Sequence, residues 1–232
     1  MDAKHLSTRL LAVAEHVPLG ARLADIGSDH AYLPAYLGIN NRVSYAVAGE
    51  VVEGPYLNAL HEIQKEGLAQ KVAVRLADGL AAITQEDEID TITICGMGGP
   101  LICHILNEGK DKLARKPRLI LQPNIGERQV REWLKEHSYQ IITEEIIEED
   151  KHIYEIIVAE WKEKTTELTD DDYLFGPFLR KEKSPIFVKK WQKEREKLLH
   201  VLNEIKKARQ VPLEQIKMLE IKIKKIGDVL NG

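Results

Sequence analysis

Arg22-Leu23-Ala24-Asp25-Ile26-Gly27-Ser28-Asp29-His30, residues 22–30, decides how this chain folds. A short apolar segment runs straight into glycine, serine and aspartate, the mark of a buried strand breaking into a loop. The same unit recurs along the chain. Val43 to Ala48 ends at Gly49-Glu50 and is followed by the helix-like VEGPYLNALHEIQKEG; Val72 to Leu76 ends at Ala77-Asp78-Gly79. Thr91 to Cys95 ends at Gly96-Met97-Gly98-Gly99, and Arg118 to Leu121 ends at Gln122-Pro123-Asn124. Short strands separated by helical stretches predict a parallel sheet of right-handed βαβ units, with an amphipathic helix over residues 5 to 17 ahead of it.

Two further strands, Tyr139 to Glu148 and His152 to Trp161, follow with only Glu149-Asp150-Lys151 between them. With no crossover helix they must pair as an antiparallel hairpin. The expected fold is therefore α/β: a seven-stranded, mostly parallel, Rossmann-like sheet closed by an antiparallel hairpin, the arrangement of class I methyltransferases. This domain is expected to span residues 1–161. Beyond it the polar KEKTTELTDDD leads to a docking turn at Tyr173 to Phe178. Apolar residues at Trp191, Leu198, Leu202 and Ile205, then Leu213, Ile216, Leu219, Ile223, Ile226 and Leu230, predict two helices with one apolar stripe each. Pro212 would open the second, so residues 162–232 read as a C-terminal α-helical coiled-coil hairpin whose apolar residues form its seam.

Composition narrows the function. The 232 residues are 44% hydrophobic and 30% charged with a net charge of −4, ordinary for one good core plus a smaller appendage. From Arg180 to Lys225, however, 15 Lys and Arg stand against 6 Glu, so the segment carries +9 and the remainder −13. That asymmetry suits a polyanionic partner, and also suits a solvated lysine-rich helix face. Cys95 and Cys103 match no zinc spacing and form no disulfide framework, pointing to a reducing compartment and no metal. No run approaches the roughly 18 apolar residues of a membrane span, and the N-terminus lacks a cleavable leader, so the expected location is cytoplasmic.

In an open α/β sheet, ligands lie beyond the carboxyl ends of the strands. A cofactor of adenine, ribose and sulfonium needs close backbone approach, an acceptor for ribose hydroxyls and a partner for the base. Gly27 and its neighbours, Glu50, and Asp78-Gly79 are candidates for those three tasks. Asp25 is read equally as a ligand contact and as a buried acid that pins the loop. Glu50 is read as a ribose acceptor or a helix cap, and Cys95 as a small buried hydrophobe rather than a nucleophile. Asp29 and His30 stand where a phosphate-binding turn would place glycines, and G-x-G-x-x-G is absent, which argues against a dinucleotide.

LADIGSDHAYLP, the GE after the second strand, LADGL, CGMGG and LQPN, in that order and ahead of a lysine-rich helical hairpin, closely resemble the bacterial tRNA adenine-N1 methyltransferases of the TrmK family, which modify adenine 22. The resemblance spans nearly the whole chain. It implies S-adenosyl-L-methionine as cofactor and tRNA as partner, with no obligate protein partner evident. Cofactor contacts then fall to Asp25, Gly27, Asp29, His30, Glu50, Asp78, Gly79, Gly96 and Met97. The pocket for the base is walled by Gly96, Met97 and Gly98 and by Gln122, Pro123 and Asn124, with Asp29 and Asn124 as candidate catalytic residues. Arg9 and Tyr32 are weaker candidates for contact with cofactor or RNA, a surface position being commoner for Arg9. Lys189, Lys190 and Lys193 are candidates for phosphate contact by the arm. The competing readings are a methyltransferase of a protein or small metabolite, with the arm as an oligomerisation hairpin, and a noncatalytic RNA-binding protein.

Overall fold

The computed structural model describes residues 2–207 and 213–232. The chain forms two compact units, Met1–Glu167 and Leu168–Gly232. The first carries α1 (Thr8–His16), β1 (Ala21–Ile26), α2 (Tyr32–Ile39), β2 (Val43–Glu50), α3 (Glu53–Lys65), β3 (Val72–Leu76), β4 (Thr91–Gly98), α4 (Gly99–Glu108), β5 (Arg118–Ile125), α5 (Glu127–Glu136), β6 (Tyr139–Glu149) and β7 (His152–Trp161).

The seven strands lie in the order β3-β2-β1-β4-β5-β7-β6. β1 to β5 are mutually parallel, and β7 runs antiparallel to both β5 and β6. Central strands covered on both faces read as continuous apolar runs: Leu23 and Ala24 on β1, Ile92 and Ile94 on β4 and Leu119 to Leu121 on β5 are buried. Strand order reverses between β1 and β4. The hairpin turn is only Asp150-Lys151, both at positive φ (49° and 67°), the twist a two-residue hairpin loop requires; Glu149 already pairs with His152.

Three strands outrun their sequence reading by two residues or more. β2 continues through Glu50, β4 through Gly98 and β5 through Ile125. The residues read as loops keep pairing, Cys95 with Gln122 and Met97 with Pro123, because Gly96 is extruded as a bulge at φ +75°. The functional stretches are therefore strand ends held by the ladder.

The antiparallel edge is tied to α5 by a buried charge cluster. Arg131, fully buried, donates from Nε to Glu144 on β6 at 2.7 Å and from Nη2 to Glu155 on β7 at 2.5 Å. On the other side of the sheet, Arg75 of β3 makes a two-pronged pair with Asp87. Burial pushes the Asp87 carboxyl up, but the Arg75 guanidinium and the amide and hydroxyl of Thr84 overcome it and hold it at about 2.

The second unit carries α6 (Asp170–Phe175), α7 (Leu179–Glu182), α8 (Pro185–Lys206) and α9 (Leu213–Asn231). The expected docking turn is α6, a short helix capped reciprocally by Thr169 and Asp172, with Asp172 also accepting from Arg180 at 2.7 Å. Phe175 meets Trp191 edge to face with centroids 4.6 Å apart. α8 starts at Pro185 under a Ser184 cap, earlier than the apolar stripe suggests. Pro212, expected to open the last helix, lies outside the described residues. The pairs Lys206–Glu220 and Lys222–Glu194 show α8 and α9 running antiparallel. Trp191, Leu198, Leu202 and Ile226 are buried, whereas Leu213, assigned to the same stripe, is 74% exposed. Part of the arm's positive charge is met internally, since Lys225 also pairs with Asp170 and Asp171 and Lys207 with Glu204.

Replacing Arg131 with Met strands two buried carboxylates and should cost about 3–5 kcal/mol of unfolding free energy by denaturant titration. Asp87 is held below the ordinary aspartate value of 3.8, so its contribution is complete above that pH and disappears as pH falls towards 2. Asp87→Asn should remove the part of the acid-induced stability loss that falls in that window, read as a shallower dependence of thermal midpoint on pH.

Candidate active site

Reversal of the strand order leaves a crevice between the carboxyl ends of β1 and β4, with β5 beside them. A cavity of about 290 Å³ occupies it, lined by residues including Arg9, Asp25, Gly27, Ser28, Asp29, Cys95, Gly96, Met97, Asn124 and Tyr154. Its floor is the buried carboxylate of Asp25, which accepts from Ser28 Oγ and from Thr93 Oγ1, each at 2.6 Å. Burial raises its pKa, opposed by those two hydroxyls. Asp25 pins its loop, although through the hydroxyls of Ser28 and Thr93 rather than through amides, and it also lines the cavity.

The loop leaving β1 is unusual in its backbone. Gly27, Asp29, His30 and Ala31 all have positive φ, 68°, 41°, 68° and 56°. Three consecutive non-glycine residues there are costly. Glu50, at the end of β2, accepts from the Asp29 amide, which holds the loop against the neighbouring strand. Burial raises the Glu50 pKa, countered by that amide and reinforced by the charge of Asp25. Glu50 does not cap α3, whose N-cap is Val52 with no side-chain bond. A side chain at Gly27 would collide with Met97, whose Cε lies 2.1 Å from the position of the missing Cβ. At Gly96 the missing Cβ would face only Arg9 Nη1 at 3.9 Å, so backbone is bared to the cavity there.

β5 supplies the opposite wall. Gln122 is fully buried. Its Oε1 accepts from Arg9 Nη1 at 2.6 Å and from the Gly96 amide at 3.0 Å, and its Nε2 donates to Asn124 Oδ1 at 3.2 Å. Asn124 Nδ2 donates to the Gly96 carbonyl at 2.8 Å. Burial drives the Cys95 thiol up, so it stays protonated, in keeping with a small hydrophobe.

The remaining candidates are dispersed. Asp78 and Gly79 line a separate cavity of about 440 Å³ with His104, Ile105 and Glu108 of α4. His30 stacks on Tyr32 with ring centroids 5.3 Å apart and lies outside the lining of the Asp25 cavity. Pro123 is a buried β5 residue paired with Met97 and lies outside the lining of the Asp25 cavity. Lys189, Lys190 and Lys193 lie on α8 of the second unit, with Lys190 over the Trp191 ring at 5.5 Å. Arg9, expected at the surface, is half-buried in the cavity wall, its guanidinium 5.5 Å from the centroid of Tyr154. Sequence reasoning missed Tyr154, Thr93 and Ser28. Thr93 was visible as the polar residue inside an apolar strand; Tyr154 enters only because β7 folds back beside β5.

Residues 23–228 match the family model described as TrmK, tRNA (adenine(22)-N(1))-methyltransferase. The tRNA (adenine(22)-N(1))-methyltransferase of Bacillus subtilis is 46% identical over 225 residues, covering 95% of this chain and 94% of its own. Among solved structures, Streptococcus pneumoniae Sp1610 in complex with S-adenosyl-L-methionine superposes with a TM-score of 0.90 at 48% identity, covering 98% of this chain and all of that one. TrmK of M. capricolum in complex with S-adenosyl-homocysteine gives 0.87 at 30% identity, with 97% and 99% covered. A cradle of bared glycine backbone beside buried carboxylates fits a nucleoside sulfonium. Gly27→Ala adds a Cβ at positive φ against Met97 and should weaken S-adenosyl-L-methionine binding about tenfold by calorimetry.

Proposed function

Because this chain belongs to the TrmK family of tRNA (adenine(22)-N(1))-methyltransferases, we infer that it transfers the methyl group of S-adenosyl-L-methionine to N1 of adenine 22 in tRNA. The observation that carries this reading is the cavity at the β1/β4 reversal, where Asp25, Gly27, Gly96 and Asn124 meet. S-adenosyl-L-methionine supplies an electrophilic methyl on a sulfonium.

The chain's own residues supply position and charge. Gly27 and Gly96 let the backbone approach the ligand, and the Glu50 carboxylate oxygen not used by Asp29 is available to ribose hydroxyls. Asp78 and Gly79, in the neighbouring cavity, would receive the adenine end. Adenine N1 lies on the Watson–Crick edge, so the base must leave its pairing and enter the pocket. Its lone pair is free at neutral pH, so no general base is needed. Asn124 and the Met97 side chain hold the base in line, which is the main source of rate. The base becomes cationic as the methyl arrives, and the carboxylates of Asp25, Asp29 and Glu50 stabilise that charge.

In the same reading, segment 162–232 is the tRNA-contacting arm, with Lys189, Lys190 and Lys193 meeting phosphates, and the reaction belongs to the cytoplasm. Recognition depends on RNA shape and phosphate contact more than on a single-stranded run. The test is transfer of labelled methyl to unmodified tRNA followed by nucleoside analysis. A single labelled product, 1-methyladenosine mapping to position 22, is expected; binding of S-adenosyl-L-methionine with no label in tRNA would refute the assignment.

A further inference from the structure

Arg9 lies ahead of the residues matched by the family model and is the start of a chain of forced hydrogen bonds that ends in the cavity. A guanidinium only donates, so the Gln122 atom 2.6 Å from Arg9 Nη1 must be its oxygen. The Gly96 amide donates to that same oxygen at 3.0 Å. Rotating the Gln122 amide by half a turn would set its NH2 against two donors. Its Nε2 therefore faces Asn124, and the atom it meets there at 3.2 Å must be an acceptor, Oδ1. That leaves Asn124 Nδ2 to donate to the Gly96 carbonyl at 2.8 Å. Arg9 is itself held, its amide donating to Glu149 Oε1 at 3.2 Å and its guanidinium lying over Tyr154.

The consequence is an exposed carboxamide that cannot turn over. After these bonds Asn124 keeps one oxygen lone pair and one N–H for a ligand, in assigned places. An acceptor beside a donor is the pattern with which asparagine pairs bidentately with N6–H and N7 of adenine. That edge lies away from N1. We propose that Arg9 is a positioning residue that, through Gln122, locks Asn124 to read the N6/N7 edge of the target adenine, leaving N1 free for the methyl. Guanine presents two acceptors, O6 and N7, on that edge and sets O6 against Asn124 Oδ1, so the same lock rejects it. The inference rests on the function stated above and adds how the base is chosen and oriented.

The experiment uses the full chain and two tRNA transcripts, with adenosine or 7-deazaadenosine at the target position. The analogue retains N1 and N6 and replaces only N7 by a C–H. The native chain should methylate the 7-deazaadenosine transcript with kcat/KM lower by about tenfold. Arg9→Met keeps most of the side-chain bulk and removes the donor. It should lower kcat/KM on adenosine by about tenfold and shrink the 7-deaza penalty to under about twofold, an effect that simple loss of packing would not produce. Arg9→Met and Asn124→Ala should be non-additive on adenosine. Equal rates on both transcripts by the native chain overturn the edge reading, and a penalty that persists undiminished in Arg9→Met overturns the role of Arg9. If the native chain fails to methylate even the adenosine transcript, the parent function falls and this inference with it. Normal transfer to adenosine with an undiminished analogue rate removes this inference alone.

Discussion

Asp25 sits where β1 and β4 part company, and its carboxylate accepts from Thr93 on one strand and from Ser28 on the loop leaving the other. The crevice exists because successive connections leave these two strands in opposite directions. A buried acid at that point would be a liability if unpaired. Two hydroxyls satisfy it and in doing so help set the path of residues 27–31, where the left-handed backbone of Asp29, His30 and Ala31 is otherwise unfavourable. Glu50 finishes the job from β2 by holding the Asp29 amide. Two acids that the chain must bury thus serve to shape the cavity.

The opposite wall is built from neutral amides, and the difference has a physical reason. Carboxylates accept from any donor and tolerate rotation, whereas carboxamides have a polarity that a network can assign. Gln122 and Asn124 pair with the bulged Gly96 from a neighbouring strand, so the geometry of the wall is inherited from the β4–β5 ladder. The ladder in turn is bounded by β7, which α5 secures through Arg131 and its two glutamates. The antiparallel hairpin brings Tyr154 and Glu149 to Arg9, so an edge element far in sequence from the first loop contributes to the site.

In the second unit, the lysine-rich composition reads differently once partners are visible. Lys206, Lys207, Lys222 and Lys225 are each matched to a carboxylate within the same unit, and exposed pairs of this kind add little stability. Lys206 and Lys222 link α8 to α9 through Glu220 and Glu194, and Asp170 and Asp171, which lie outside the segment carrying +9, offset part of that charge at Lys225.

The strands, their parallel order and the closing hairpin were legible in the sequence because burial on both faces writes uninterrupted apolar runs and a missing crossover permits only one pairing. The acidic and glycine-rich strand ends, and with them Asp25, Gly27, Glu50, Gly96 and Asn124, were legible for the same reason, since residues at those ends have one place to go. Arg9 was legible only as a weaker candidate: an arginine on an amphipathic helix looks like surface, and only the packing of α1 beside β5 and β7 turns it inward. Nor could periodicity show that Gly96 is a bulge or that Gln122 points into the fold, because both depend on register between strands about 25 residues apart. Local pattern determined which elements form and which loops gather at one edge; the orientation of each polar side chain was decided by partners that only the tertiary fold brings within hydrogen-bonding distance.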